Sequence, residues 1–429
     1  MNISLQVLLF LAVLILLAKA AGGLATRLRL PAVLGELLAG VALGPTFINI
    51  WRFPWLAVAG SAGSNAHISL AGFIEVLAEI GVVILMFLAG LETDISSMKE
   101  SFGPAFWAAC GGVVLPFAGS AVIAHELGFA WREAVFIGTI LTATSVSITA
   151  QTLMNLGRLR SKAGSTILGA AVIDDVLGLL VLSLVIALEP NMPSHSAGSS
   201  AWVGFGWTVA RMSVFFVFAF LAGPWLIRAA FKLVRRFKSA HSPLAAALAL
   251  AFLFAFLAQY AGSMAAITGS YLAGLFIAAS PSDHAEVISD LRSMTNSFFG
   301  PLFFGSIGLE INAWSLSGQF GFFFLILMIA IFGKVLGCGL GAWLNSFSGR
   351  DGLIVGVGMV PRGEVGLITA NIGWAAGIVS PEIYSLVIVL VLATTLLTPP
   401  LLSLCFGGEE AVLEISPVSS GVEGISPES

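Results

Sequence analysis

The sequence predicts an all-α polytopic membrane protein of about thirteen transmembrane helices, built as inverted repeats with two crossing broken helices. Three observations carry that expectation. The 429 residues are 58% hydrophobic and only 10% charged, with a mean hydropathy of +1.00, far outside the range of a soluble domain. The apolar residues gather in runs close to the ~20 that cross a hydrocarbon core. Two of those runs, one in each half, carry hydroxyls, glycines or proline where an unbroken helix would not.

Taken in order, the spans lie near 3–26, 31–48, 72–92, 103–124, 133–154, 163–188, 205–230, 243–260, 264–280, 295–312, 320–344, 353–376 and 382–405. The first run contains Ala18-Lys19-Ala20, which mimics a secretory cleavage site, but no positive side chain precedes it. Its cations Lys19, Arg27 and Arg29 fall late in the run or after it, which by the positive-inside bias puts the N-terminus outside. The loops then expected inside carry Lys99, Arg158, Arg160, Lys162, Arg228, Lys232, Arg235, Arg236, Lys238, Arg292 and Arg350. Those expected outside carry little beyond Arg52 and Arg132. This alternation places the C-terminus in the cytoplasm.

Glu189 to Ser200 is rich in Pro, Ser and Gly and reads as an external loop joining two halves. From Gly407 to Ser429 the chain is polar and lacks an apolar period, so a disordered cytoplasmic tail is expected, with no soluble regulatory domain attached. The net charge of -4 and the scatter of basic residues among short loops argue against nucleic acid as a partner and leave membrane lipid. Cys110, Cys338 and Cys405 and the five histidines show no metal-ligand or disulfide spacing. Neither a cofactor nor an enzymatic activity is expected.

The chemistry concentrates in the apolar runs. Asp174 and Asp175 lie near the middle of Ala163 to Leu188. A charge at that depth costs roughly 2.5–3.5 kcal/mol on insertion scales, so intramembrane acids generally face a partner or a cavity and mark an ion path. Adjacent helical residues point about 100° apart, so the two carboxylates have different jobs. One reaches a neighbouring helix, while the other faces a cavity. Lys334 is the cationic partner on offer, mid-span among Ile331, Phe332, Val335 and Leu336. The nearer end of its run is about 15 Å away at helical rise, beyond snorkelling reach. Gly333, Gly337 and Gly341 beside it form a small-residue stripe that lets another helix approach closely.

Thr142 to Thr149 interrupts the fifth span with hydroxyls and β-branched residues, and Thr144 and Ser145 are the candidate cation oxygens there. Gly356 to Gly366 breaks the twelfth span with glycines and Pro361. Arg362 and Glu364 are expected to neutralise the helix ends exposed at that break. The two spans run in opposite directions, and paired interrupted helices of this kind point to a midplane transport site. The pattern Gly356-x-Gly358 lacks the third glycine and the βαβ setting of a dinucleotide fingerprint.

Several segments together resemble the monovalent cation:proton antiporter family, specifically the NapA-type sodium:proton antiporters. They are Leu30 to Gly40, Phe87 to Glu92, Thr142 to Thr149, Val172-Ile173-Asp174-Asp175, Lys334 and Pro361 to Gly366. The resemblance runs nearly end to end. It implies a homodimer in the cell inner membrane, with a core that slides against a dimerisation scaffold. In that division 1–100 and 241–312 are the scaffold, 101–190 and 313–406 the core, 201–240 a linker helix and 407–429 the tail. It further implies Asp175 as the main carrier of sodium (or lithium) and protons, with Asp174 contacting Lys334 and possible as a second metal ligand.

Potassium-efflux relatives typically place glutamine before the aspartate and carry a soluble nucleotide-binding domain. Electroneutral relatives tend to have asparagine for the first aspartate and arginine near the lysine. The set here resembles the electrogenic type. A potassium:proton antiporter, a sodium-coupled organic-solute symporter and a channel are the competing readings.

Overall fold

A backbone in hydrocarbon finds no water to bond, so its N–H and C=O groups must pair within the segment, which a helix achieves locally. In the computed structural model, which describes residues 3–28, 30–53, 70–93, 100–188, 201–234, 242–279, 284–309, 320–345 and 347–406, all regular structure among the described residues is helical. The Glu189–Ser200 connection and the 407–429 tail lie outside those residues, as does the side chain of Glu364.

The first half comprises α1 (Ile3–Arg27), α2 (Ala32–Leu43), α3 (Leu70–Glu92), α4 (Phe102–Glu126), α5 (Trp131–Ile140), α6 (Val146–Asn155) and α7 (Lys162–Ala187). After it come α8 (Ala201–Val234), α9 (Ser242–Tyr260), α10 (Ala266–Ala278), α11 (His284–Met294) and α12 (Gly300–Leu309). The chain closes with α13 (Phe320–Trp343), α14 (Gly349–Gly358), α15 (Glu364–Ala375) and α16 (Pro381–Cys405). Eight of these, α1, α3, α4, α7, α8, α9, α13 and α16, are long and apolar enough to cross a membrane by themselves. Among the described residues each of the thirteen apolar runs contains helix, and the fifth and twelfth are divided as their composition predicts.

One helix was not expected. α11 is polar and amphipathic, so it has no apolar run to betray it. It joins α12 through a π-helical turn at Thr295–Phe299, and its Arg292 reaches Glu92 at the end of α3, 2.6 Å from Nη2 to Oε1.

Helix pairs close where side chains are absent. Gly337 of α13 meets Gly111 of α4 backbone to backbone, with no room for a Cβ on either, while Gly333 and Gly341 of the same stripe lie against Pro116 and Trp107. α3 and α10 approach in the same way at Gly90 and Gly274. A buried core runs from Met86 of α3 through Ile148 of α6 and Ile167 of α7 to Val355 of α14. A second gathers Phe136, Leu182, Ile326 and Leu390. Large apolar side chains such as Leu16, Trp207, Leu221 and Leu336 point outward, as they must where lipid is the solvent.

Candidate functional site

The two interruptions meet. α5 stops at Ile140, Thr142 Oγ1 donates back to Thr139 O at 2.8 Å, and the chain runs without helical bonding to Val146. α14 stops at Gly358 because Pro361 has no N–H to continue the ladder, and helix resumes at Glu364. Ser145 N–H donates to Pro361 O at 2.8 Å, and Thr149 Oγ1 donates to Gly358 O at 2.6 Å, so each break satisfies part of the other. A Cβ on Gly363 would lie 2.5 Å from that of Ser145, which is why glycine stands at the crossing.

α6 and α15 both begin here and bring the partial positive charge of a helix N-terminus, while α5 and α14 end here with the partial negative charge of a C-terminus. Arg362 is 1% exposed and holds this crossing together: Nη1 donates to Ala143 O at 2.6 Å and Nη2 to Ala330 O at 3.1 Å. Its backbone is tied to α16, receiving Thr395 Oγ1 on its carbonyl at 2.9 Å. Glu364 opens α15.

Asp174 and Lys334 face each other nearby. Lys334 Nζ lies 2.7 Å from Asp174 Oδ1, and the residues are 0% and 1% exposed, a charge-assisted bond between α7 and α13. Gly112 of α4 lies against the same turn of α13, where a Cβ would collide with Cys338 Sγ. Asp175, one residue on, is half-buried and turned away into a pocket lined by Met86, Val146, Ile267, Thr268 and Tyr271. There Thr268 Oγ1 donates to Asp175 Oδ2 at 2.6 Å.

Among the buried oxygens with no hydrogen-bond partner in the described residues are Asp174 Oδ2, Thr144 Oγ1 and Ser145 Oγ. A buried polar atom is normally satisfied, and hard cations take oxygen ligands, so each of these oxygens has lone pairs available to a ligand. The structure therefore brings Asp174 together with Lys334, and Arg362 together with the first break. Neither the Thr144 nor the Ser145 hydroxyl bonds an aspartate.

Thr268 is the site residue that sequence reasoning missed. The one available signal was a hydroxyl among apolar neighbours, Ala265 to Ile267, at the start of a short span, and such hydroxyls commonly bond their own helix instead.

A multi-pass helical protein whose two interrupted helices cross beside a buried carboxylate–amine pair has the architecture of a secondary transporter. The family described as "Sodium/hydrogen exchanger, transmembrane" matches residues 11–404, and the chain belongs to it. It is similar to the Na(+)/H(+)-K(+) antiporter GerN of Bacillus cereus, 33% identical over 95% of this chain and 98% of that protein. It is likewise similar to the Na(+)/H(+) antiporter of Enterococcus hirae, 33% identical over 91% and 95% of the two chains. The high-affinity Na(+)/H(+) antiporter NhaS3 of Synechocystis is 34% identical over 94% and 90%. Among solved structures, the sodium proton antiporter MjNhaP1 of Methanocaldococcus jannaschii superposes with a TM-score of 0.68 over the full length of both chains at 18% identity, a likeness of fold. The chain is thus a membrane antiporter and not an enzyme.

Proposed function

We propose that this protein is an electrogenic sodium(lithium):proton antiporter that extrudes cytoplasmic sodium in exchange for external protons by elevator-type alternating access. The observation that carries the reading is the division of labour between two adjacent carboxylates: Asp174 is fastened to Lys334, and Asp175 stands apart in a pocket between α3, α6, α7 and α10. Sodium and protons compete for Asp175. Asp174 and Lys334 rearrange as the ion binds, and the unpartnered oxygens of Thr144 and Ser145 complete its coordination, with Asp174 Oδ2 as a further ligand. Arg362 and Glu364 balance the helix ends at the crossing and carry no ion.

In the movement, 101–190 and 313–406 form the core and 1–100 and 241–312 the scaffold of a homodimer, with 201–240 as linker helix. The N-terminus is outside and the C-terminus in the cytoplasm, in the cell inner membrane. If about two protons enter per sodium ion leaving, one net charge moves inward and the membrane potential contributes ~2.3 kcal/mol per 100 mV to sodium extrusion.

Proteoliposomes with an imposed potential test this. Inside-negative voltage is expected to accelerate proton entry against sodium, and sodium-coupled proton flux indifferent to voltage would rule out the electrogenic form. A potassium:proton exchange is the second reading, because the relative GerN is named for potassium as well as sodium. Comparing lithium, sodium and potassium for collapse of a preset pH gradient separates the two. A gradient that no cation collapses without an organic solute would point to a symporter.

A further inference from the structure

Thr268, in the first turn of α10, bonds Asp175 of α7, and its mounting is unlike that of the aspartate. α10 is fastened to α3: Ser270 Oγ donates to Val83 O at 2.6 Å, Tyr271 OH bonds Thr93 Oγ1 at 3.3 Å, and the backbones touch at Gly90 and Gly274. α7 makes its most extensive contacts with α4, α8 and α14, and lays Val176, Leu179 and Leu180 against the core that α3 and α10 share. The 2.6 Å bond from Thr268 Oγ1 to Asp175 Oδ2 therefore crosses between two helices whose principal packing partners differ.

We propose that Thr268 is a stop that holds Asp175 in place while the carboxylate carries neither cation nor proton. The inference rests on the reading of Asp175 as the carrier and of α7 as part of the moving core. An exchanger keeps its stoichiometry only if the empty carrier does not cross. A hydroxyl donor on the stationary body distinguishes empty from loaded. The bare carboxylate offers lone pairs and full charge, and accepts the bond most strongly. A bound cation occupies those lone pairs and repels the hydroxyl proton. A proton on the carboxylate removes the charge that strengthens the bond. Loading therefore loosens the contact that motion must break. Hydrogen bonds to ionised groups are strong enough to slow the empty crossing by about ten- to hundred-fold. Thr268 is a positioning residue in this scheme and does not travel with the ion.

The test uses the full-length protein in proteoliposomes, with radioactive sodium and internal pH followed in the same vesicles. Thr268→Val keeps the shape and removes the donor. It is expected to lower the apparent KM for sodium about ten-fold and to let sodium move without its counter-transported protons, so that protons moved per sodium fall. Thr268→Ser is expected to restore both. Should the valine variant fail to assemble, Thr268→Ala carries the same expectation. Wild-type KM and proton-to-sodium ratio in the donor-less variant would overturn the stop, as would a serine variant that behaves like valine. A raised KM with an intact ratio would make Thr268 a cation ligand and overturn it equally. Asp175→Asn is run alongside. If that variant still exchanges, the carrier assignment fails and the stop falls with it. If it is silent while Thr268→Val matches wild type, the stop alone is wrong.

Discussion

Asp175→Asn is expected to abolish exchange, with collapse of a preset pH gradient by sodium or lithium falling to that of empty vesicles. The amide is nearly the size of the carboxyl and can still accept from Thr268 Oγ1, so packing around the pocket of Ile267 and Tyr271 stays intact. It has no negative charge to hold a cation and no proton to exchange. Loss of transport in a protein that still assembles would therefore report on chemistry, not folding. Near-normal activity would remove Asp175 as the carrier.

Lys334→Met is expected to destabilise the protein by about 3–5 kcal/mol, the usual consequence of removing one partner from a buried ion pair. The pair is sealed, with Lys334 0% and Asp174 1% exposed, so water cannot replace the missing ammonium. The double change Lys334→Met with Asp174→Leu is expected to regain most of that loss, because two apolar side chains need no partner and buried ion pairs are often matched by apolar replacements. Thermal unfolding in detergent, compared among wild type, single and double variants, reads both effects. A single variant as stable as wild type would mean that the charge at Asp174 is compensated by something other than Lys334.

How much of this is legible in the sequence depends on whether a feature is decided locally. Long helices such as α7 and α13 are, because an apolar run of that length has few alternatives. The breaks are also legible, since Pro361 cannot continue a ladder and the Thr142–Thr149 hydroxyls weaken one. A pairing of Lys334 with one of two adjacent acids follows from the expense of a lone charge at mid-span.

What is not legible is set by distant packing. The carbonyls that Arg362 meets, Ala143 and Ala330, come from other helices and depend on how the crossing closes. Thr268 and Asp175 are 93 residues apart, and nothing local in either segment announces their bond. α11 escapes for a different reason: its polar face and short length hide it from any reading based on apolar runs.

The central claim is that a metal ion and a proton exclude one another at Asp175. Its most direct test is to count protons released when sodium binds the purified protein, from calorimetric heats in two buffers of different ionisation enthalpy. Competition predicts that sodium releases protons in a pH range where the site is partly protonated, and that Asp175→Asn releases none. Sodium binding with no proton release at any pH where the protein is active would contradict it.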